Sequence, residues 1–124
     1  MNILSPSILS ADFWHLGSDI EQVQKAGAKY LHIDVMDGLF VPSLSFAMPV
    51  ISSIRKYTDI FFDVHLMIKK PERYIKEFAE SGADMITDPT FGRCPACHAE
   101  GVLVGESKEG YPADAEDYED TAEY

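Results

Sequence analysis

The sequence predicts an α/β protein made of repeated strand–helix units and arranged as part of a (β/α)8 barrel, the TIM-barrel architecture. Three observations predict it. Short β-branched and aromatic runs alternate with helical periodicities at the spacing of βα units. A device that stops a helix and starts a strand occurs twice, as Ala26-Gly27-Ala28-Lys29-Tyr30-Leu31 and as Ser81-Gly82-Ala83-Asp84-Met85-Ile86. Two of the strands also carry ionisable residues on one face. An open doubly wound sheet is covered by helices on both faces and reads apolar on both, whereas a barrel has an interior for such residues. A whole barrel takes about 250 residues, so a chain of 124 supplies a partial one. We expect three βα units and the start of a fourth strand within residues 1–87.

The elements follow in order. Residues 3–8 read as a short strand. Ser10-Ala11-Asp12 then offers capping oxygens for a helix reaching Ala26, with Leu16, Ile20 and Val23 at helical spacing and Gly27 as its stop. Residues 30–35 form the second strand. A long loop with Asp37-Gly38 and Val41-Pro42-Ser43 leads to a helix over residues 49–57, opened by Pro49. Residues 61–66 form the third strand, and Pro71 opens a helix whose apolar stripe is Tyr74, Ile75, Phe78 and Ala79, closed by Gly82. A fourth strand begins at Met85. The basic pairs Arg55-Lys56 and Lys69-Lys70 are expected on solvated helix or loop surfaces.

At Asp88-Pro89 the pattern fails, because proline cannot donate to a sheet ladder and no sustained period follows. Residues 88–124 contain ten acidic and two basic side chains, a net of −8 out of −11 for the whole chain, which leaves −3 for residues 1–87. We therefore divide the chain into a barrel part, residues 1–87, and an acidic, mostly disordered tail, residues 88–124, with a brief strand at Val102-Leu103-Val104. Cys94-Pro95-Ala96-Cys97-His98 in the tail matches a c-type haem pattern and half of a zinc site. Ordinary reduced thiols are the simplest reading.

Composition excludes some functions. With 46% hydrophobic and 25% charged residues, no apolar run approaches the roughly 20 residues of a membrane span. Nucleic acid is an unsuitable partner, since the only basic concentrations are the two pairs already named. The N-terminus lacks the basic and apolar regions of a secretory signal, which makes the cytosol the expected compartment.

The chemistry lies on the strands. Alternation places Leu31, Ile33 and Val35 on one face of the second strand, and Tyr30, His32, Asp34 and Met36 on the other. The third strand repeats this, with Val64 and Leu66 opposite Asp63, His65 and Met67. Ser5 and Ser7 share a face of the first. His32, Asp34 and His65 near the C-terminal ends of neighbouring parallel strands can converge on one centre, and buried ionisable groups need partners. A divalent metal is one such partner: mixed nitrogen and oxygen donors suit Zn2+, Fe2+, Mn2+ or Co2+. Hydrogen-bonded core residues are the alternative reading of each.

Pro6-Ser7-Ile8-Leu9-Ser10-Ala11-Asp12-Phe13, then His32-Ile33-Asp34-Val35-Met36-Asp37-Gly38 with Phe40-Val41-Pro42, then Asp63-Val64-His65-Leu66-Met67, resemble the ribulose-phosphate 3-epimerase family in order and spacing. The resemblance extends through Pro71-Glu72-Arg73-Tyr74 and Gly82-Ala83-Asp84 and covers about 87 of the 124 residues. It implies a metal-dependent isomerase of the pentose phosphate pathway that interconverts D-ribulose 5-phosphate and D-xylulose 5-phosphate. It further implies that His32, Asp34 and His65 bind the metal, that Asp34 is an acid/base, that Ser7 and His65 contact substrate, and that Met36 and Met67 line the pocket. The family moves the proton at carbon 3, with the metal stabilising a cis-enediolate. Its second aspartate and its phosphate-binding loops, from the later half of the barrel, have no counterpart here. The resemblance therefore implies little turnover by the chain alone.

Two other classes of function compete with the isomerase. An incomplete barrel exposes strand edges and apolar surface, so the chain is also readable as a non-catalytic interaction module that self-associates through its open edge. The tail offers the third reading, a small zinc-binding protein acting through Cys94, Cys97 and His98.

Overall fold

The structure, a computed structural model, describes residues 3–88 and 100–103. Strands β1 (Tyr30–Met36), β2 (Phe61–Met67) and β3 (Met85–Asp88) are parallel neighbours in that order. Between them run helices α1 (Leu16–Lys25), α2 (Met48–Arg55) and α3 (Ile75–Ser81), α1 lying before β1. This is the βα alternation that the sequence predicts. A further strand, β4 (Glu100–Leu103), pairs antiparallel with β3. It lies within the segment expected to be tail and overlaps the brief strand expected there. Asp88, the first residue of that segment, ends β3, whereas residues 89–99 and 104–124, including Cys94, Cys97, His98 and the acidic run, lie outside the described residues, as does the expected disorder.

One face of the sheet forms the core. Leu31, Ile33 and Val35 of β1, Phe62, Val64 and Leu66 of β2, and Ile86 of β3 are buried against Ile20 of α1, Ile51 of α2, and Ile75 and Phe78 of α3. Each such side chain taken from water contributes about 1.5–3 kcal/mol. Burial of that face fixes the strand register, because a slip of one residue would turn His32 and Asp34 into the core. The parallel ladder accordingly runs from Tyr30 opposite Phe61 to Met36 opposite Met67 without a bulge.

Four expectations require correction. The strand expected over residues 3–8 is reduced to one parallel bridge, Ser7 to His32, with the His32 N–H donating to Pro6 O at 2.9 Å. Pro6 has no N–H to give to a ladder, and the Ser7 hydroxyl oxygen accepts the Leu9 N–H, which starts a 3-10 turn at Ile8–Ser10. The first helix is likewise preceded by a 3-10 turn, Phe13–His15, capped by Asp12 through the Trp14 N–H. Pro71 opens only a 3-10 turn, Pro71–Arg73, in which the Tyr74 N–H donates to Pro71 O. The α-helix starts after Tyr74, which is not buried in the core.

The fourth concerns Arg55, which is no solvated cation. It donates to the carbonyls of Thr58, Ile60 and Gly82 and to Asp84, with its guanidinium 3.7 Å from the Phe62 ring centroid. Gly82 makes room for it: a Cβ there would lie 2.5 Å from Arg55 Cδ, and φ is +125°.

Candidate metal centre

The face of β1 and β2 turned away from the helices carries the polar residues. Parallel pairing sets His32 opposite Asp63, Asp34 opposite His65, and Met36 opposite Met67. His65 is buried, whereas His32, Asp34, Met36, Asp63 and Met67 are half-buried. One ligand atom from each of His32, Asp34 and His65 lies within 4.8 Å of the others. The sequence thus brings together the three residues it singled out, on adjacent strands.

Asp34 is the hub. Its Oδ1 lies 2.9 Å from His32 Nε2 and 3.4 Å from His65 Nδ1, while its Oδ2 accepts a hydrogen bond from the Ser7 hydroxyl at 2.9 Å. The Ser7 bridge to His32 therefore performs a second task, carrying the hydroxyl from the first segment to the carboxylate. Burial raises the Asp34 carboxyl, but hydrogen bonds from His32 and His65 outweigh it and hold the group well below the usual carboxylate range. His32 moves the other way. Hydrogen bonds first to Asp34 and then to Asp63 outweigh desolvation and push its imidazole up to about 10.

The donor set fits a divalent cation. Ligands on arms of about 2.0–2.2 Å around a tetrahedral centre lie about 3.3–3.6 Å apart. The approaches to Asp34 Oδ1, 2.9 and 3.4 Å, need small adjustment, and the three ligand atoms, which lie within 4.8 Å of one another, would draw closer around the ion. Two imidazoles and one carboxylate suit Zn2+, Fe2+, Mn2+ or Co2+, and three protein ligands leave a position open.

Residues outside the expected set support this arrangement. Asp63 accepts from His32 Nδ1 at 2.8 Å, and the Ser5 hydroxyl donates to the same Asp63 oxygen at 3.4 Å. The period of two backwards from His65, and Ser5 sharing a face with Ser7, were the signals available for finding them. Ser45 donates to Asp34 O at 2.7 Å and accepts the Met36 N–H at 2.9 Å, fixing the end of β1, and no sequence pattern marked it. Asp37, quoted in the motif only by position, accepts N–H groups from Leu39, Phe40 and Lys69.

Parallel βα units with a polar cluster on their inner strand face define a partial (β/α)8 barrel carrying a candidate two-histidine, one-aspartate centre. The model of the ribulose-phosphate 3-epimerase family matches residues 3–90, and the chain belongs to that family. The ribulose-phosphate 3-epimerase of Bacillus subtilis (strain 168) is 47% identical over 103 residues, covering 83% of this chain and 47% of the relative. That of Synechocystis is 49% identical over 85 residues, 68% of this chain and 37% of the relative. The chloroplastic enzyme of Arabidopsis thaliana is 46% identical over 85 residues, 68% of this chain and 30% of the relative. The chain thus spans less than half the length of these relatives.

Proposed function

We propose that the chain carries the first half of an epimerase centre that interconverts D-ribulose 5-phosphate and D-xylulose 5-phosphate. The observation that carries this reading is the convergence of His32, Asp34 and His65 on one point, in a chain of this family. His32 Nε2, Asp34 and His65 would hold a divalent cation, which when bound supplies Lewis-acid stabilisation of the negative charge developing on the substrate's oxygens. Asp34 takes or returns the proton at carbon 3. Its carboxyl is ionised at neutral pH, the state a base requires, and the Ser7 hydroxyl restrains Oδ2. Ser7 and His65 contact the sugar, while Met36 and Met67, facing each other at the ends of β1 and β2, exclude water beside it. The same groups would serve D-allulose 6-phosphate.

A second reading has one observation in its favour. Among the described residues the outer edge of β1 meets no full strand, only the Pro6-Ser7 segment at His32 and Ser45 at Asp34 and Met36, and an edge without a partner strand invites a second chain. A non-catalytic, self-associating module would use that edge, and gel filtration separates a dimer from a monomer.

To test the epimerase reading, the part of the Bacillus subtilis relative beyond the matched region is supplied as a separate chain, with zinc, iron(II) or manganese. Formation of xylulose 5-phosphate that requires both chains and disappears with Asp34→Asn is the expected result. Equal turnover with Asp34→Asn would overturn it.

A further inference from the structure

We propose that Asp63 is a positioning residue for His32, holding the imidazole by Nδ1 so that Nε2 faces the centre shared with Asp34 and His65. The inference rests on the metal-centre reading above and extends it to the nitrogen that the centre does not use.

The geometry carries it. Asp63 Oδ2 and His32 Nδ1 are 2.8 Å apart, and both side chains are largely shielded, at 14% and 26% exposure. Asp63 stands directly opposite His32 in the β1–β2 register, and its own strand is clamped on the other side by β3, where Asp63 pairs with Met85. Its backbone therefore sits in the middle of a parallel ladder. The Ser5 hydroxyl donates to the same oxygen, a second restraint from a different part of the chain.

A histidine ring has two orientations related by a half-turn about χ2, and the half-turn exchanges each nitrogen for a carbon. In the observed orientation Nδ1 meets Asp63 and Nε2 meets Asp34. In the other, two C–H groups would face the two carboxylates and both hydrogen bonds would be lost. Asp63 thus selects the ring orientation, and by accepting from Nδ1–H it selects the tautomer whose Nε2 lone pair is available for ligation. Asp34 cannot do this alone, because its contact with Nε2 is the one a cation replaces.

The test uses the 124-residue chain with 15N-labelled histidine. With zinc bound, His32 is expected to carry its proton on Nδ1 and none on Nε2; a proton on Nε2 would overturn the proposal. Asp63→Ala should weaken zinc binding about 10–100-fold, the usual cost of losing an outer-shell partner. Asp63→Asn, which keeps a neutral acceptor, should fall between Ala and wild type. Zinc affinity and His32 resonances within twofold of wild type in both variants would also overturn it. If Asp63→Ala fails to fold, the wild-type spectrum still decides. A wild-type chain that takes up no zinc would count against the metal-centre reading instead. In that case the zinc-free His32 Nδ1–H resonance decides for Asp63, which requires it to shift in Asp63→Asn.

Discussion

Arg55 Nη1 lies 2.9 Å from Asp84 Oδ2, the same oxygen that accepts the Phe62 N–H at 2.8 Å. Three carbonyls also depend on this guanidinium, those of Thr58, Ile60 and Gly82. The cluster joins the end of α2 to the starts of β2 and β3, so it holds the strands beneath the candidate centre. Arg55→Ala leaves these acceptors without their donor and should cost about 2–3 kcal/mol. Lysine has no planar fork to serve four acceptors, and Arg55→Lys should recover less than half. Gly82→Ala should be destabilising for the related reason that its Cβ meets the Arg55 stem at a positive φ. Urea denaturation at neutral pH measures all three, and an Arg55→Lys midpoint equal to wild type would contradict the account.

Asp37 ties two loops at the C-terminal ends of the strands. Its Oδ1 accepts the N–H groups of Leu39 and Phe40, and its Oδ2 accepts that of Lys69 at 2.7 Å. Desolvation raises the carboxyl, but the N–H of Lys69 and then those of Leu39 and Phe40 outweigh it and lower it below its ordinary value. A lowered carboxylate adds stability that is present above the unfolded value of about 3.9 and is lost as pH falls through the folded value. Asp37→Ala should destabilise by about 1–3 kcal/mol at pH 7. Thermal unfolding of both proteins should show the gap narrowing towards pH 3; a gap independent of pH would exclude the carboxylate as its source.

If the proposed centre holds a cation, proton competition at His32 would set the pH dependence of its binding. Hydrogen bonds to Asp34 and then Asp63 push this imidazole up to about 10, so without a cation it is protonated throughout the neutral range. Ligation requires the neutral ring, and affinity should therefore rise with pH by about tenfold per unit between pH 6 and 9. The sequence alone suggests a loss only below roughly pH 6, the behaviour of an ordinary imidazole; the two carboxylates move it upward. Calorimetry in buffers of different ionisation enthalpy should count about one proton released per zinc at pH 7. His32→Ala and His65→Ala should each weaken binding by more than the 10–100-fold typical of an outer-shell change. Unchanged affinity in either folded variant would show that the cation binds elsewhere.

The chain by itself should turn over ribulose 5-phosphate at close to background rate. Inversion at carbon 3 needs proton transfer on both faces of the enediolate, and in the proposed centre Asp34 would serve only one. Absence of one acid/base costs about 10²–10⁴-fold, and poor positioning of the substrate adds to it. Following xylulose 5-phosphate with zinc, iron(II) or manganese added, and Asp34→Asn as the control for host enzyme, checks this. Robust turnover that disappears in Asp34→Asn would show that a second copy of the chain completes the centre.

What the sequence determined by itself is whatever depends on near neighbours. The period of two in β1 and β2 already separates Leu31, Ile33 and Val35 from His32 and Asp34, and Gly27 and Gly82 mark the helix stops at the positive φ values found there. The motif spacing was enough to nominate His32, Asp34 and His65, because a parallel βα unit leaves little choice about which strand ends meet. Partners distant in sequence were decided only by the tertiary structure. Asp63 on His32, Asp37 on Lys69 and Arg55 on Asp84 join residues 29 to 32 positions apart. Each depends on strand register or loop placement that local propensity does not encode. The first segment shows the same limit. Its composition suits a strand, but Pro6 withholds a donor and Ser7 turns the chain, so its one bridge to His32 exists because the rest of the sheet is there to receive it.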